Sequence, residues 1–542
     1  MASSALISLF PTVVGRYINS FSAHDVPSML EGGCFVMGAA LASFIKTTLS
    51  GFAKLRMSRR IREDLFAALL KKDAGFFDTT SSGKLTSVLA TDARVSAGII
   101  DYLSQFVRST ISFTAGIYFS LKVAHISLIM HTMLPIAASL FIMVPLSRCV
   151  QRQMSIQMRR LATLISFSEE KISHIKTVKT FNAESFEMGV FGEKIHQLFK
   201  ASIKGIFYGA SMNFVAVGAV GSLILLMANT SATLVLNGTM KIGDVTSLLM
   251  YSALVGGSLQ SLTSSFAEIQ KCIGTTVNLA KYIDEEPGNN KLGVVELLPI
   301  TPPTIEFNNV TFTYPSRPGC TILRNLSFLL PAGKTLVILG ESGCGKSSIL
   351  QLLLGLYTPD SGTITFNGKS IKNIDLHHLR TMTAWIEQQA TLFDDTIRNN
   401  VLYGHSGKED QLAAVYNQSG LINVMNELPN GDQTVVGQMG RALSGGQRQR
   451  ISIARMLIRS PKLVLLDEVT SALDMESERQ INKILMDHLR DKTAIIITHR
   501  TNLLFLADYI MVMNAGEVCQ FGPKGEVLQN PCSQLSKIFA AM

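Results

Sequence analysis

Charge is scarce in this chain. Of its 542 residues only 16% are Asp, Glu, Lys or Arg, against 47% hydrophobic, and the mean hydropathy is +0.28. Soluble globular chains carry nearer a quarter charged residues, so the deficit excludes an ordinary soluble protein and points to a membrane. Seven cysteines (Cys34, Cys149, Cys272, Cys320, Cys344, Cys519 and Cys532) show no CxxC or Cys/His spacing, which excludes a disulfide framework and a structural zinc site. Cys344 lies inside a glycine loop, which therefore faces a reducing compartment. No cleavable leader is evident, nor the Arg-rich, acid-poor pattern of a transit peptide. The length exceeds what one core supports, so two or more domains are expected.

A spanning helix needs about twenty largely apolar residues. Residues 123–147, 205–228 and 245–267 meet that need, 32–53 are interrupted only by Lys46, and 102–121 only by Arg108. Residues 1–15 are apolar but short of a full span. Six crossings are expected, the first of them truncated. The net charge of +9 is explained by where the cations fall. Lys54, Arg56, Arg59, Arg60, Arg62, Lys71 and Lys72 lie between the second and third crossings. Arg148, Arg152, Arg159, Arg160, Lys171, Lys176 and Lys179 lie between the fourth and fifth. By the positive-inside rule both long loops share a compartment with the C-terminal half. A lipid bilayer accounts for the charge excess, and nucleic acid is not needed as a partner. Apolar residues three and four apart over 57–77 and 161–191 make these loops helical, with turns expected at 78–93 and 180–185.

Composition shifts to Pro, Gly and Asn over 284–303, as in a linker. The expected domains are a helical transmembrane domain at 1–284, a linker at 285–303, and a nucleotide-binding domain at 304–542. The stretch "TLVILGESGCGKSSILQLLLGL" (335–356) reads as a buried strand, a glycine loop and an apolar helix, the setting a GxxxxGK[ST] phosphate loop requires. Gly340, Gly343 and Gly345 let the loop curl so that its amides face phosphates. Lys346 reaches the β and γ oxygens, and Ser347 offers a hydroxyl to Mg²⁺. A second strand, "LVLL" at 463–466, ends in Asp467, placed to hold Mg²⁺. Glu468 follows, with the carboxylate that polarises an attacking water. Another apolar strand ends at His499, placed to touch a γ-phosphate and orient Glu468. The stretch "RALSGGQRQR" (441–450) is a second glycine loop, and Arg448 and Arg450 just behind it also suggest phosphate binding.

The ordered set Tyr314, GESGCGKSS, Gln388, LSGGQ, LVLLDE, SALD and His499 resembles the ATP-binding cassette ATPase over the whole of 304–542. That resemblance implies an α-helical transmembrane domain followed by an α/β P-loop ATPase domain, with ATP and Mg²⁺ as cofactors. It implies contacts to nucleotide from Tyr314, which stacks on adenine, and from Gly340, Glu341, Ser342, Gly343, Cys344, Gly345, Lys346, Ser347 and Ser348. It assigns Glu468, His499 and Gln388 to catalysis, with Gln388 preferred to Gln389 as the sensor of Mg²⁺ and water, and Ser347, Gln388 and Asp467 to the metal. Ser444, Gly445, Gly446 and Gln447 would act on the nucleotide of a second cassette, with Asp474 in the loop crossing the interface. A chain with one cassette is then half a machine, working as a homodimer or with a similar chain.

The first half extends the likeness. "FFDTTSSGKLTSVLATDA" (76–93) and "EEKISHIKTVKTFNAE" (169–184) resemble the coupling segments of type I exporters, and 243–274 is similar to the sixth helix of subfamily-B half-transporters of the mitochondrial inner membrane. The implied function is ATP-driven export of an amphipathic peptide, lipid or small organic molecule, with the ATPase domain in the matrix. An ER, lysosomal, vacuolar or bacterial plasma membrane is the alternative location, and an ATP-gated, channel-like protein the alternative function. One departure stands out: "VGQMG" (436–440) places Gln438 and Met439 where exporters of this family carry a Glu-Arg pair.

Overall fold

The computed structural model describes residues 2–22, 29–123, 126–236, 240–284, 296–405, 407–469, 475–499 and 501–540. They form two compact units: residues 1–70 with 82–285, and residues 71–81 with 286–542.

The first unit is helical. Its six long helices among the described residues are α1 (Ala2–Ser22), α2 (Met29–Leu70), α3 (Ile99–Val123), α4 (Ile126–Ser173), α5 (Glu184–Leu236) and α6 (Ile242–Asp284). Within the described residues, Val36–Leu70, Glu184–Thr230 and Ile242–Asp284 are long and apolar enough to cross a membrane. α1 runs past the apolar stretch 1–15 because its second half is fastened to α6: a Cβ on Gly15 would stand 2.7 Å from the Gly243 carbonyl oxygen, Ser247 Oγ donates to the Pro11 carbonyl at 2.9 Å, and Asn19 Oδ1 accepts from the Gly243 amide at 2.8 Å. Small residues let the backbones approach, and the polar pairs then hold the crossing. α3 packs along α6, where Ser109 Oγ and Gln105 Nε2 both donate to Ser261 Oγ, at 2.7 and 3.1 Å. α4 and α5 pair along their length and touch the other helices sparsely.

The turn expected at 78–93 is instead mostly helical, with short helices at Ala74–Thr79 and Ser82–Ser87 and a π-turn at Val88–Asp92. The chain reverses between α4 and α5 through Asn182, whose left-handed φ of +49° suits an asparagine.

The second unit carries two sheets. β1 (Ile305–Thr313), β2 (Thr321–Leu330), β4 (Ser361–Phe366) and β5 (Lys369–Ser370) form an antiparallel sheet in the order β2-β1-β4-β5. β3 (Thr335–Gly340), β6 (Thr383–Ile386), β7 (Leu463–Asp467), β8 (Thr493–Ile497), β9 (Tyr509–Asn514) and β10 (Glu517–Pro523) form the other, in the order β10-β9-β3-β8-β7-β6, parallel except at β10. β3, β7 and β8 are buried along their whole length, which is why they read as continuous apolar runs.

Residues of these strands alternate between two cores. Leu336, Ile338, Leu465 and Ile497 face one, together with Ile349 and Leu350. Val337, Leu339, Leu466 and Ile496 face the other, together with Ile451, Ala454 and Ile458. The stretch taken as linker is structured at its end. Glu296 bridges to Ile374 and Leu298 is buried in the first of these cores, so the residues from 296 onward belong to the second unit.

Candidate nucleotide site

β3 delivers the glycine loop to the helix α7 (Lys346–Leu353). A Cβ at Gly340 would stand 2.5 Å from the Met513 carbonyl oxygen, and one at Gly345 would stand 2.9 Å from Leu323 Cδ2. Gly345 also has φ of +99°, a left-handed conformation that glycine adopts without penalty. Both positions therefore require glycine. α7 has no side-chain cap, so its first amides are left for an anion. Lys346 is buried, and Nζ donates to the carbonyl oxygens of Gly340 at 2.7 Å and Glu341 at 2.8 Å. An ammonium folded against its own loop, beside uncapped amides, fits a triphosphate. Ser342, Gly343 and Ser347 are exposed at the mouth while Cys344 and Ser348 are buried. Burial pushes the Cys344 thiol up, with Lys346 opposing.

Tyr314 is half-buried, and its hydroxyl is committed to α7, 2.8 Å from Ser348 Oγ and donating to Gln351 Oε1 at 2.6 Å. Its ring stands edge-on to Tyr357 at 5.2 Å. Gln351 and Tyr357 escaped the sequence reading, as did Gln534, which donates to Glu341 Oε1 at 2.8 Å. Only the i,i+3 spacing of Gln351 from Ser348 in a helix could have hinted at the first.

The carboxylates sit where β7 ends. Asp467 is buried, and burial raises its carboxyl above the usual range, with the Ser347 hydroxyl and Lys346 opposing and Glu468 adding to it. A buried carboxylate facing a hydroxyl suits Mg²⁺, which uses one or two carboxylates and takes its other ligands from phosphates and water. No group of three or more His, Cys, Asp and Glu able to hold a metal alone occurs among the described residues, so the cation would depend on nucleotide for further ligands. Glu468 takes φ of +48°, a left-handed conformation that costs a non-glycine residue about 1–3 kcal/mol. That turn points its carboxylate at two partners. Gln388 Nε2 donates to Oε2 at 2.9 Å, and His499 Nδ1 lies 3.5 Å from Oε1. The structure thus brings Gln388, Glu468 and His499 together. Asp474 lies outside the described residues.

The second glycine loop opens the helix α8 (Gly445–Arg459). Ser444 is its N-cap, with Oγ accepting from the Gln447 amide at 3.3 Å and Gln447 Oε1 accepting from the Ser444 amide at 2.9 Å. This capping box was legible as S-x-x-Q. Ser444 is exposed and Gly445 and Gly446 are partly so, in the first turn, where the helix dipole favours negative charge. The expectation that Arg448 and Arg450 hold phosphate is corrected. Arg448 Nη1 donates to the Leu443 carbonyl at 2.8 Å, and Arg450 Nη2 donates to Gln480 Oε1 at 2.6 Å. Arg448 braces the loop from behind, and Arg450 ties α8 to the helix that carries Gln480. Met439 has φ of +54° and is 69% exposed.

α7 packs on one face of the six-stranded sheet and α8 on the other, as their separate cores require. Within one chain, the Ser444 loop and the phosphate loop are thus carried by helices on opposite faces of that sheet.

Two family models cover most of the chain: the ABC transporter transmembrane region over residues 1–259 and the ABC transporter over residues 323–471. The chain belongs to the ABC transporter family. The ABC multidrug transporter mdr2 of Aspergillus fumigatus is 33% identical over 99% of this chain and 70% of its own. The mitochondrial ATP-binding cassette sub-family B member 10 of Mus musculus is 31% identical over 92% of this chain and 70% of its own. Among solved structures, a bacterial Atm1-family ABC exporter with ATP bound superposes with a TM-score of 0.88 at 25% identity, covering 100% of this chain and 97% of that one. This ABC transporter thus has a helical transmembrane region followed by a nucleotide-binding ATPase domain, and it couples ATP hydrolysis to export across a membrane.

Proposed function

We propose that the transporter is a half-exporter whose ATP site is composite. Two copies, or this chain and a similar one, would enclose nucleotide between the Lys346 loop of one and the Ser444 loop of the other. The observation that carries this reading is the placement of α7 and α8 on opposite faces of one sheet. The α4–α5 pair supports it independently. Phe141 and Phe214 on it are 86% and 79% exposed, a large apolar surface for bilayer and a second copy to cover.

Within the site, Tyr314 stacks on adenine and the loop from Gly340 to Ser348 holds the phosphates. Asp467, Ser347 and the amide oxygen of Gln388 would hold a Mg²⁺ arriving with ATP, which would supply charge neutralisation to the transferring phosphate. Glu468 takes the proton of the attacking water, and His499 orients it. The intact Gln388–Glu468–His499 set favours turnover over a channel-like switch, which has no use for a base.

A cavity of about 510 Å³ among α3, α4, α5 and α6 supports an amphipathic cargo. Gln105, Gln151 and Gln260 offer amides and Met143 and Met212 apolar walls, and no charged residue lines it among the described residues, so the cargo presents neutral polar groups there. The mitochondrial name of the mouse relative supports the inner membrane, with the ATPase domain on the matrix side where the basic loops lie.

Complementation between two inactive variants tests the composite site. Chains carrying Lys346→Ala and chains carrying Ser444→Arg should each be inactive as homodimers. Mixed dimers purified through two tags should regain hydrolysis, because one of their two pockets is then wild type on both sides. Absence of recovery in stable mixed dimers would reject the reading. Protease protection of the ATPase domain in intact mitochondria and mitoplasts tests the location.

A further inference from the structure

Lys46 of α2 and Arg108 of α3 line one cavity of about 380 Å³, with Ile100, Leu103, Val107 and Ile111 as its apolar walls. Each is the lone cation in an otherwise uncharged spanning stretch, where a charged side chain is costly and marks function. The nearest candidate counter-ion is Asp101, but it is already taken. Lys54 Nζ binds its Oδ2 at 2.9 Å and Ser50 Oγ donates to its Oδ1 at 3.1 Å. Neither Lys46 nor Arg108 has an ion-pair or hydrogen-bond partner among the described residues. Two cations lining one cavity and repelling each other, with only the shared Asp101 carboxylate to offset them among the described residues, call for an anion from outside the chain.

We propose that this cavity binds the headgroup of an anionic phospholipid. Several observations favour a lipid over a free anion or the cargo. The apolar walls suit a glycerol and acyl region and would add nothing for inorganic phosphate. Leu41, Phe44 and Leu49 on α2 are 61%, 68% and 64% exposed, a surface along which an acyl chain can lie. Lys46 lies in the second half of the 32–53 stretch and Arg108 in the first half of 102–121, the halves that lead into the basic loop. Basic pockets between spanning helices on that side recognise acidic headgroups. The neutral cavity among α3 to α6 is separate, so this site is not a subsite of the proposed cargo path and does not depend on the dimer reading.

Native mass spectrometry of the detergent-purified full-length protein decides this, with phosphatidylglycerol and phosphatidylcholine added in competition. The wild type should retain phosphatidylglycerol in preference. The Lys46→Gln/Arg108→Gln double variant should lose that preference by about tenfold or more, the sum of two headgroup contacts. Lys46→Arg/Arg108→Lys should keep it, which separates charge from folding. Equal phosphatidylglycerol retention by wild type and the Gln variant, as expected if a second copy's carboxylate fills the cavity, overturns the proposal. So does a Gln variant that keeps its lipid preference yet no longer responds to laurate in hydrolysis assays in phosphatidylcholine nanodiscs, because the cavity would then be reading a carboxylate cargo.

Discussion

Gln388 Nε2 donates to Glu468 Oε2 at 2.9 Å. The bond spans eighty residues of chain and joins the end of the β6 strand to the end of β7. It fixes one carboxylate oxygen while His499 faces the other, so the base is aimed before nucleotide arrives. A base removed outright should cost more than a base left loose. Glu468→Gln is expected to lower hydrolysis about 10²–10⁴-fold while nucleotide binding is kept. Gln388→Ala should cost about 10–100-fold, the usual effect of losing an orienting partner at such a site. Single-turnover phosphate release compares the two, and equal rates in Glu468→Gln and wild type would remove Glu468 from the chemistry.

The phosphate loop and the strand-end carboxylates were legible because their chemistry dictates their sequence. Gly345 must be glycine at φ of +99°, and β3 and β7 must be apolar to lie inside the sheet. Ser444 was legible too, but the arginines behind it were not. Arg448 and Arg450 have the composition of a phosphate site, yet the first turns of α8 carry them back onto Leu443 and Gln480, and composition does not encode that direction. Docking of residues 71–81 followed from the likeness of 76–93 to a coupling segment, but the partners it docks on did not. It rests on Pro315 and Tyr357, about 240 and 280 positions away, and no local pattern marks a contact at that separation.

Asp467 sets stability against activity. Burial holds its carboxyl above the usual range, so the ionised form is less comfortable folded than unfolded. The associated stability is fully present below the unfolded carboxyl value of about 3.9 and is lost as pH rises through the raised folded value. Asp467→Asn should therefore stabilise the nucleotide-free transporter at neutral pH by roughly 1 kcal/mol, with hydrolysis lost. Thermal unfolding of the full chain across pH checks the sign. The advantage of the variant should shrink as pH falls, and an advantage that grows toward acid would contradict the assignment.

Gly345→Ala separates the loop's shape from its chemistry. The new methyl meets Leu323 Cδ2 at 2.9 Å and the Ile322 carbonyl at 3.1 Å, in a left-handed conformation that alanine resists. A destabilisation of about 1–3 kcal/mol is expected, together with loss of ATP binding, because the amides no longer converge. Lys346→Ala should lose ATP binding without that backbone strain, since residue 346 opens α7 with a helical backbone that alanine favours. Thermal shift and equilibrium nucleotide binding on both variants distinguish the two effects.

Tyr357 Oη donates to Asp78 Oδ2 at 2.6 Å, and through its ring Tyr357 touches Tyr314 and Phe312. Burial and the Asp78 carboxylate hold the phenol protonated far above neutral pH, so the bond is a donor-to-carboxylate contact across the working range. Residues 71–81 thereby reach the tyrosine proposed to hold adenine through a chain of two rings. If that chain carries the signal between cargo and nucleotide, cutting it at either end should have one effect, not two. Tyr357→Phe and Asp78→Ala should each blunt cargo-stimulated hydrolysis and expose the Lys71–Lys72 bond pair to trypsin. The double variant should be no worse than either single one, giving a coupling energy of about 1.5–3 kcal/mol, as for a hydrogen bond to a charged group. Additive losses would mean that the two side chains act separately and that the segment is seated by Pro315 and the backbone alone.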